Sequence, residues 1–87
     1  SWPGYTLEQG SQGPKVRQIQ EQLNVIAGAY PEIPKLEEDG IYGPETEAAV
    51  RKFQSIFGLP VTGEIDYKTW YKISEIYVGV SRIAELS

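Results

Sequence analysis

Apolar residues recur at steps of three and four in three stretches of the chain, each opened by a helix start signal. In the central stretch Thr46, Ala49, Val50, Phe53 and Phe57 fall on one stripe. Gly43-Pro44 precedes it; proline suits the first helical position because the missing N–H would have no intrahelical partner there. Glu45 and Glu47 follow in the first turn, where unpaired backbone N–H groups favour negative charge. Gly58 supplies a left-handed cap and Pro60 blocks continuation, so a helix is predicted over 44–57. Gly13-Pro14 repeats the device ahead of Val16, Ile19, Leu23 and Ile26, predicting a helix over 14–27 with Gly28 as its end. The polar face of that helix (Lys15, Arg17, Gln18, Glu21, Gln22) reads as solvated surface. A third begins with Asp66 as N-cap and carries Trp70, Ile73, Tyr77 and Val80, with Gly79 expected to end or weaken it.

The connecting segments lack such periodicity. Residues 1–11 carry a Pro-Gly pair and read as an extended lead-in. Trp2, Tyr5 and Leu7 within it are apolar enough either to lie against the domain or to form an aromatic contact surface. Residues 29–38 hold two prolines and form a loop, pinned by Ile33 and Leu36. Residues 59–66 are a turn-rich connector. The expected organisation is a lead-in at 1–12, a domain at 13–80 and a tail at 81–87 with no neighbour to pack on.

Laid on itself, the chain shows two echoes. Val16-Arg17-Gln18-Ile19-Gln20 matches Val50-Arg51-Lys52-Phe53-Gln54, and the run from Gly40 to Thr46 is echoed from Gly63 to Thr69. The fold class is therefore all-α: a compact three-helix bundle with an internal turn-helix pseudo-repeat and irregular loops.

Composition narrows the chemistry. The 87 residues suffice for one small domain. Cysteine and histidine are both absent, which excludes disulfides, thiol chemistry, a serine–histidine triad and the commonest zinc ligand. Twelve acidic against eight basic residues leave a net charge of −4, which disfavours nucleic acid and anionic membrane as partners. No apolar run reaches the ~18 residues of a membrane span and the N-terminus has no signal-peptide core, so a soluble piece of a longer chain is expected. The acidic run at 37–39 before Gly40 fails as a calcium loop, because Lys35 and Thr46 fall where ligands are required. No cofactor or metal is implied.

The segments G-S-Q-G-P-K-V-R-Q-I-Q, D-G-I-Y-G-P-E-T-E-A-A-V-R-K-F-Q and G-L-P-V-T-G-E-I-D-Y-K-T-W resemble, in this order, the peptidoglycan-binding domain family found beside bacterial cell-wall hydrolases. The resemblance covers about residues 7–73. It implies a three-helix module without catalytic activity that holds a larger exported, tandem-repeat type of chain on peptidoglycan. The implied location is the extracellular face or cell wall, and the implied state is a monomer within a multidomain protein.

Peptidoglycan offers amide, hydroxyl and carboxylate groups beside sugar faces, so a binder needs directed hydrogen bonds and aromatic surface in a shallow groove. Asp39 and Tyr42 fit by type, on the loop into the second helix. Asp39-Gly40 reads equally as a turn, and the Tyr42 ring as a plug whose hydroxyl faces the groove. Gln20 and Gln54 border buried stripes, so each amide must bond either a loop carbonyl or a ligand. Arg51 is suited to a stem-peptide carboxylate and equally to plain surface; Tyr30 is a possible stacking platform. Trp70 reads as core. Two rival readings stand beside wall binding: a protein-docking or spacer module using Trp2, Tyr5, Tyr71 and Tyr77, and a glycosidase built on Glu38, Asp39, Glu45 and Glu47.

Overall fold

The computed structural model describes residues 1–86, the side chains of Ala84 and Leu86 excepted; Ser87, the end of the expected tail, lies outside the described residues. Three helices follow one another: α1 (Pro14–Ala29), α2 (Pro44–Ile56) and α3 (Tyr67–Leu86). Among the described residues no strand forms, and two isolated antiparallel bridges join Leu7 to Ile65 and Gln12 to Ile41. Each helix starts where its sequence signal lies. Pro14 and Pro44 occupy the first turns of α1 and α2, and Asp66 Oδ1 accepts the Thr69 N–H at 3.0 Å at the head of α3.

The helix ends are less uniform. α2 closes on Gly58 at φ +72°, with the Leu59 N–H donating to Gln54 O at 2.9 Å, a Schellman arrangement. Gly28 does not end α1, contrary to expectation. The helix runs one residue further, to Ala29, and Tyr30 caps it at φ −127°. Pro31 supplies the stop, because its ring keeps the preceding residue out of helical conformation. Nor does Gly79 end α3, which continues to Leu86. Helix interiors tolerate glycine when flanking residues pack, and Ile76 and Tyr77 lie partly buried against the core.

One core joins the helices and their loops. Val16, Ile19, Leu23 and Ile26 of α1 meet Ala49, Val50 and Phe53 of α2 and Trp70 and Ile73 of α3, closed over by Leu7, Ile33, Leu36, Tyr42 and Ile65. α1 packs directly on α3. Ile33 and Leu36 are buried as the loop reading required. In the first segment Leu7 is buried and Trp2 packs edge-on against Tyr67 and Trp70, both at 6.0 Å, whereas Tyr5 is exposed. Lys15 Nζ lies 5.6 Å from the centre of the Trp70 ring and donates to Ser1 O at 3.1 Å, holding the chain start to α1.

Candidate functional site

The loops entering α2 and α3 are held by the same device. Gln20, 1% exposed, accepts the Gly40 N–H at 2.8 Å through Oε1. Its Nε2 shares its hydrogens among Ile41 O (3.0 Å), Thr46 Oγ1 (3.1 Å) and Asp39 Oδ1 (3.1 Å). Gln54, also 1% exposed, accepts the Thr62 and Gly63 N–H groups at 2.9 and 3.0 Å. Its Nε2 faces Glu64 O, Thr69 Oγ1 and Thr62 Oγ1 at 2.9, 3.2 and 3.1 Å. Each bracket turns on a left-handed glycine, Gly40 at φ +74° and Gly63 at φ +77°. A Cβ on Gly40 would stand 3.1 Å from Gly13 O, so backbone packs where a side chain would go.

Beside the first bracket lies an open groove of about 340 Å³. Buried Gln20, Thr46 and Leu36 form its floor; Lys35, Glu37, Asp39, Ile41 and Glu45 form its exposed rim. A second depression of about 460 Å³, bounded by Gln12, Pro14 and Arg17, shares Asp39 and Ile41 with the first. Asp39 and Ile41, exposed on either side of buried Gly40, thus form a ridge between two shallow clefts. Asp39 Oδ1 accepts the Ile41 N–H at 3.0 Å, closing the turn. That N–H, followed by the Gln20 amide, holds the Asp39 carboxyl below the ordinary carboxylate value.

The opposite wall is fastened by Asn24, one turn after Gln20 on α1. Asn24 Oδ1 accepts the Leu36 N–H and Nδ2 donates to Leu36 O, both at 2.8 Å; Nδ2 also reaches Glu38 Oε2 at 2.9 Å. Lys35 Nζ donates to Asn24 O at 3.1 Å. Both walls therefore hang from one face of a rigid helix.

Of the residues picked out from sequence, Asp39 and Gln20 meet at this groove. Gln20 contributes through the loop it holds, since its amide is spent on that loop. Tyr42 does not face the groove: its ring is 1% exposed and its hydroxyl donates to Gly63 O at 2.6 Å, with burial pushing its ionisation far upward. Gln54 and Arg51 belong to the second bracket. Arg51 Nε pairs with Glu47 Oε2 at 2.9 Å, and Glu47 Oε1 accepts from Gln9 at 2.6 Å, contacts that lower the Glu47 pKa. Tyr30 lies elsewhere, its ring edge-on to Phe57 at 5.0 Å. Tyr30, Tyr42, Arg51 and Gln54 line neither cleft. Sequence reasoning did not assign Asn24, Lys35, Glu37 or Ile41 to a groove. The available signal was Asn24 itself, a weak helix former in the middle of α1.

Comparison with known proteins agrees with this architecture. The family model of the peptidoglycan binding domain matches residues 12–73, and the chain belongs to that family. It is 41% identical over 76 residues to the zinc D-Ala-D-Ala carboxypeptidase of Streptomyces albus G, covering 87% of this chain and 28% of the enzyme. It is 50% identical over 46 residues to the autolytic lysozyme of Clostridium acetobutylicum, covering 53% of this chain and 13% of the lysozyme. The chain thus spans less than a third of either relative. Among solved structures it superposes on the SleB N-terminal domain with a TM-score of 0.75 at 28% identity, covering 88% of this chain and 99% of that one. A fused Zn-dependent amidase/peptidase/peptidoglycan-binding domain-containing protein of Clostridium acetobutylicum gives 0.70 at 29% identity, covering 79% of this chain and 28% of that one.

Proposed function

We propose that this chain is the non-catalytic wall-binding module of a larger exported protein, and that it docks peptidoglycan along the Asp39–Ile41 ridge and its flanking clefts. The observation that carries the reading is the family match over residues 12–73, which contains both clefts. The named relatives that share this segment include a D-Ala-D-Ala carboxypeptidase and an autolytic lysozyme, and the segment is a minor part of each. A module of this kind raises the local concentration of its tethered partner at the wall, and weak single-site binding becomes useful through avidity. Its place of action is then the cell wall, outside the membrane, as one monomeric unit of a multidomain chain.

The site chemistry supports binding over turnover. Asp39 is held in its ionised form by backbone and amide donors, the opposite of what a general acid for glycoside cleavage requires. Histidine and cysteine, the usual nucleophile and base types, are absent from the chain. The test is retention on purified insoluble peptidoglycan, against cellulose and chitin controls. Enrichment on the wall material alone is expected, with no turbidity loss in a cell-wall suspension. Equal retention on all three supports would overturn the reading, and sustained clearing would overturn its non-catalytic part.

A further inference from the structure

The 340 Å³ groove has an unusual charge layout. Its rim holds one ammonium, Lys35, and three carboxylates, Glu37, Asp39 and Glu45. None of these is ion-paired: the pairs among the described residues are Arg17–Glu21, Arg51–Glu47 and Lys72–Glu75. Lys35 is instead tied by one hydrogen bond to a main-chain oxygen, Asn24 O, leaving further donors on its nitrogen. Asp39 commits Oδ1 to the Ile41 N–H and the Gln20 amide, on the turn side of its carboxylate. Asn24 and Gln20 fasten the loop backbone at Leu36 and Gly40 to α1, so the segment that carries Lys35, Glu37 and Asp39 is set before any ligand arrives.

From this layout we infer that the groove recognises a zwitterionic amino-acid end, its ammonium set among Glu37, Asp39 and Glu45 and its carboxylate on Lys35. A neutral sugar offers hydroxyl donors to the three carboxylates but carries no charge to match either sign of the rim. A purely anionic ligand would meet a rim that is negative overall. An ammonium with a nearby carboxylate matches both signs, while the apolar surfaces of Leu36 and Ile41 accept the aliphatic carbons between them. Within peptidoglycan whose stems carry meso-diaminopimelate, that group is the free end of this diamino acid. It is lost where a stem has accepted a cross-link, because that step acylates the acceptor's amine, whereas the donor stem keeps its own. The inference rests on the wall-binding reading and sharpens it: the module reads stems whose diamino-acid amine has not accepted a cross-link.

The test compares two soluble disaccharide-tripeptides ending in meso-diaminopimelate, one with its side-chain amine free and one with it acetylated. Both are titrated into the chain by calorimetry and by NMR shift mapping. The free-amine ligand is expected to bind at least about tenfold more tightly, the size of one charge-assisted contact. Its shifts are expected to concentrate on residues 35–46, with added salt weakening it selectively. The double variant Glu37→Gln/Glu45→Gln should narrow the gap between the ligands, and Lys35→Gln should weaken both. Equal affinity for the two ligands, or shifts confined to α3, would overturn the inference while leaving retention on insoluble peptidoglycan intact. Loss of that retention in the unmodified chain would overturn the wall-binding reading together with it.

Discussion

The Gln20 and Gln54 brackets are built alike, from a buried amide, a left-handed glycine and a threonine in the following helix, yet one borders open clefts and the other is filled. At the second, the Tyr42 hydroxyl donates to Gly63 O, and the Glu47–Arg51 pair presses so close that a Cβ on Gly63 would stand 2.8 Å from Glu47 Cγ. Gln9 adds a further bond to Glu47. At the first, the corresponding neighbours are Gly13 and Arg17, and the Asp39 and Ile41 side chains on either side of buried Gly40 stay exposed. The repeated unit thus supplies stability twice and an accessible surface once. What surrounds the bracket, rather than the bracket, decides whether a ligand can approach.

That comparison can be broken most directly at its centre. Gln54→Ala strands the Thr62 and Gly63 N–H groups and Gln20→Ala the Gly40 N–H, and each should cost about 3 kcal/mol in chemical denaturation. Near-equal losses are expected; a negligible loss at either position would deny the brackets their structural role. Tyr42→Phe removes one buried hydrogen bond from the filled bracket and should cost about 1 kcal/mol, with retention on peptidoglycan unchanged. A fall in retention at preserved stability would place the hydroxyl in the binding surface after all.

Acid provides a smaller lever. Asp39 and Glu47 have folded-state pKa values below their ordinary ones, so each contributes stability above the ordinary value that is lost as pH falls through the folded one. Melting temperature should therefore drop below about pH 4, and Asp39→Asn should blunt that drop. An unchanged acid limb in the variant would count against the turn carboxylate's role. The smallest stability effects belong to the exposed pairs. Arg17→Ala and Arg51→Ala should each change stability by less than about 0.5 kcal/mol, yet only Arg17→Ala, at the open cleft, should reduce retention on peptidoglycan. The opposite ranking would move the binding surface to the second bracket.

Much of this was readable in the chain. The two Gly-Pro starts, the Asp66 cap and the apolar stripes are local signals, and local signals set helix starts because the first turn depends on residues adjacent in sequence. The echo of Val-Arg-x-apolar-Gln put both amides at the edge of a buried stripe, where each needs a loop carbonyl or a ligand; the structure buries both and gives them to the loops. Helix ends were harder, since Gly28 and Gly79 permit a stop without requiring one. Pro31 and the packing of Ile76 and Tyr77 settled those ends.

Periodicity and start signals alone determined three amphipathic helices, their order and the doubled turn-helix unit, because each depends on neighbours within a turn or two. Only tertiary structure decided which unit stays open. The Tyr42 hydroxyl reaches a carbonyl 21 residues away, and Asn24 and Gln20 clamp loops 12 to 21 residues downstream. Hydrogen bonds over such separations exist only after the helices have packed, so a linear pattern carries no record of them.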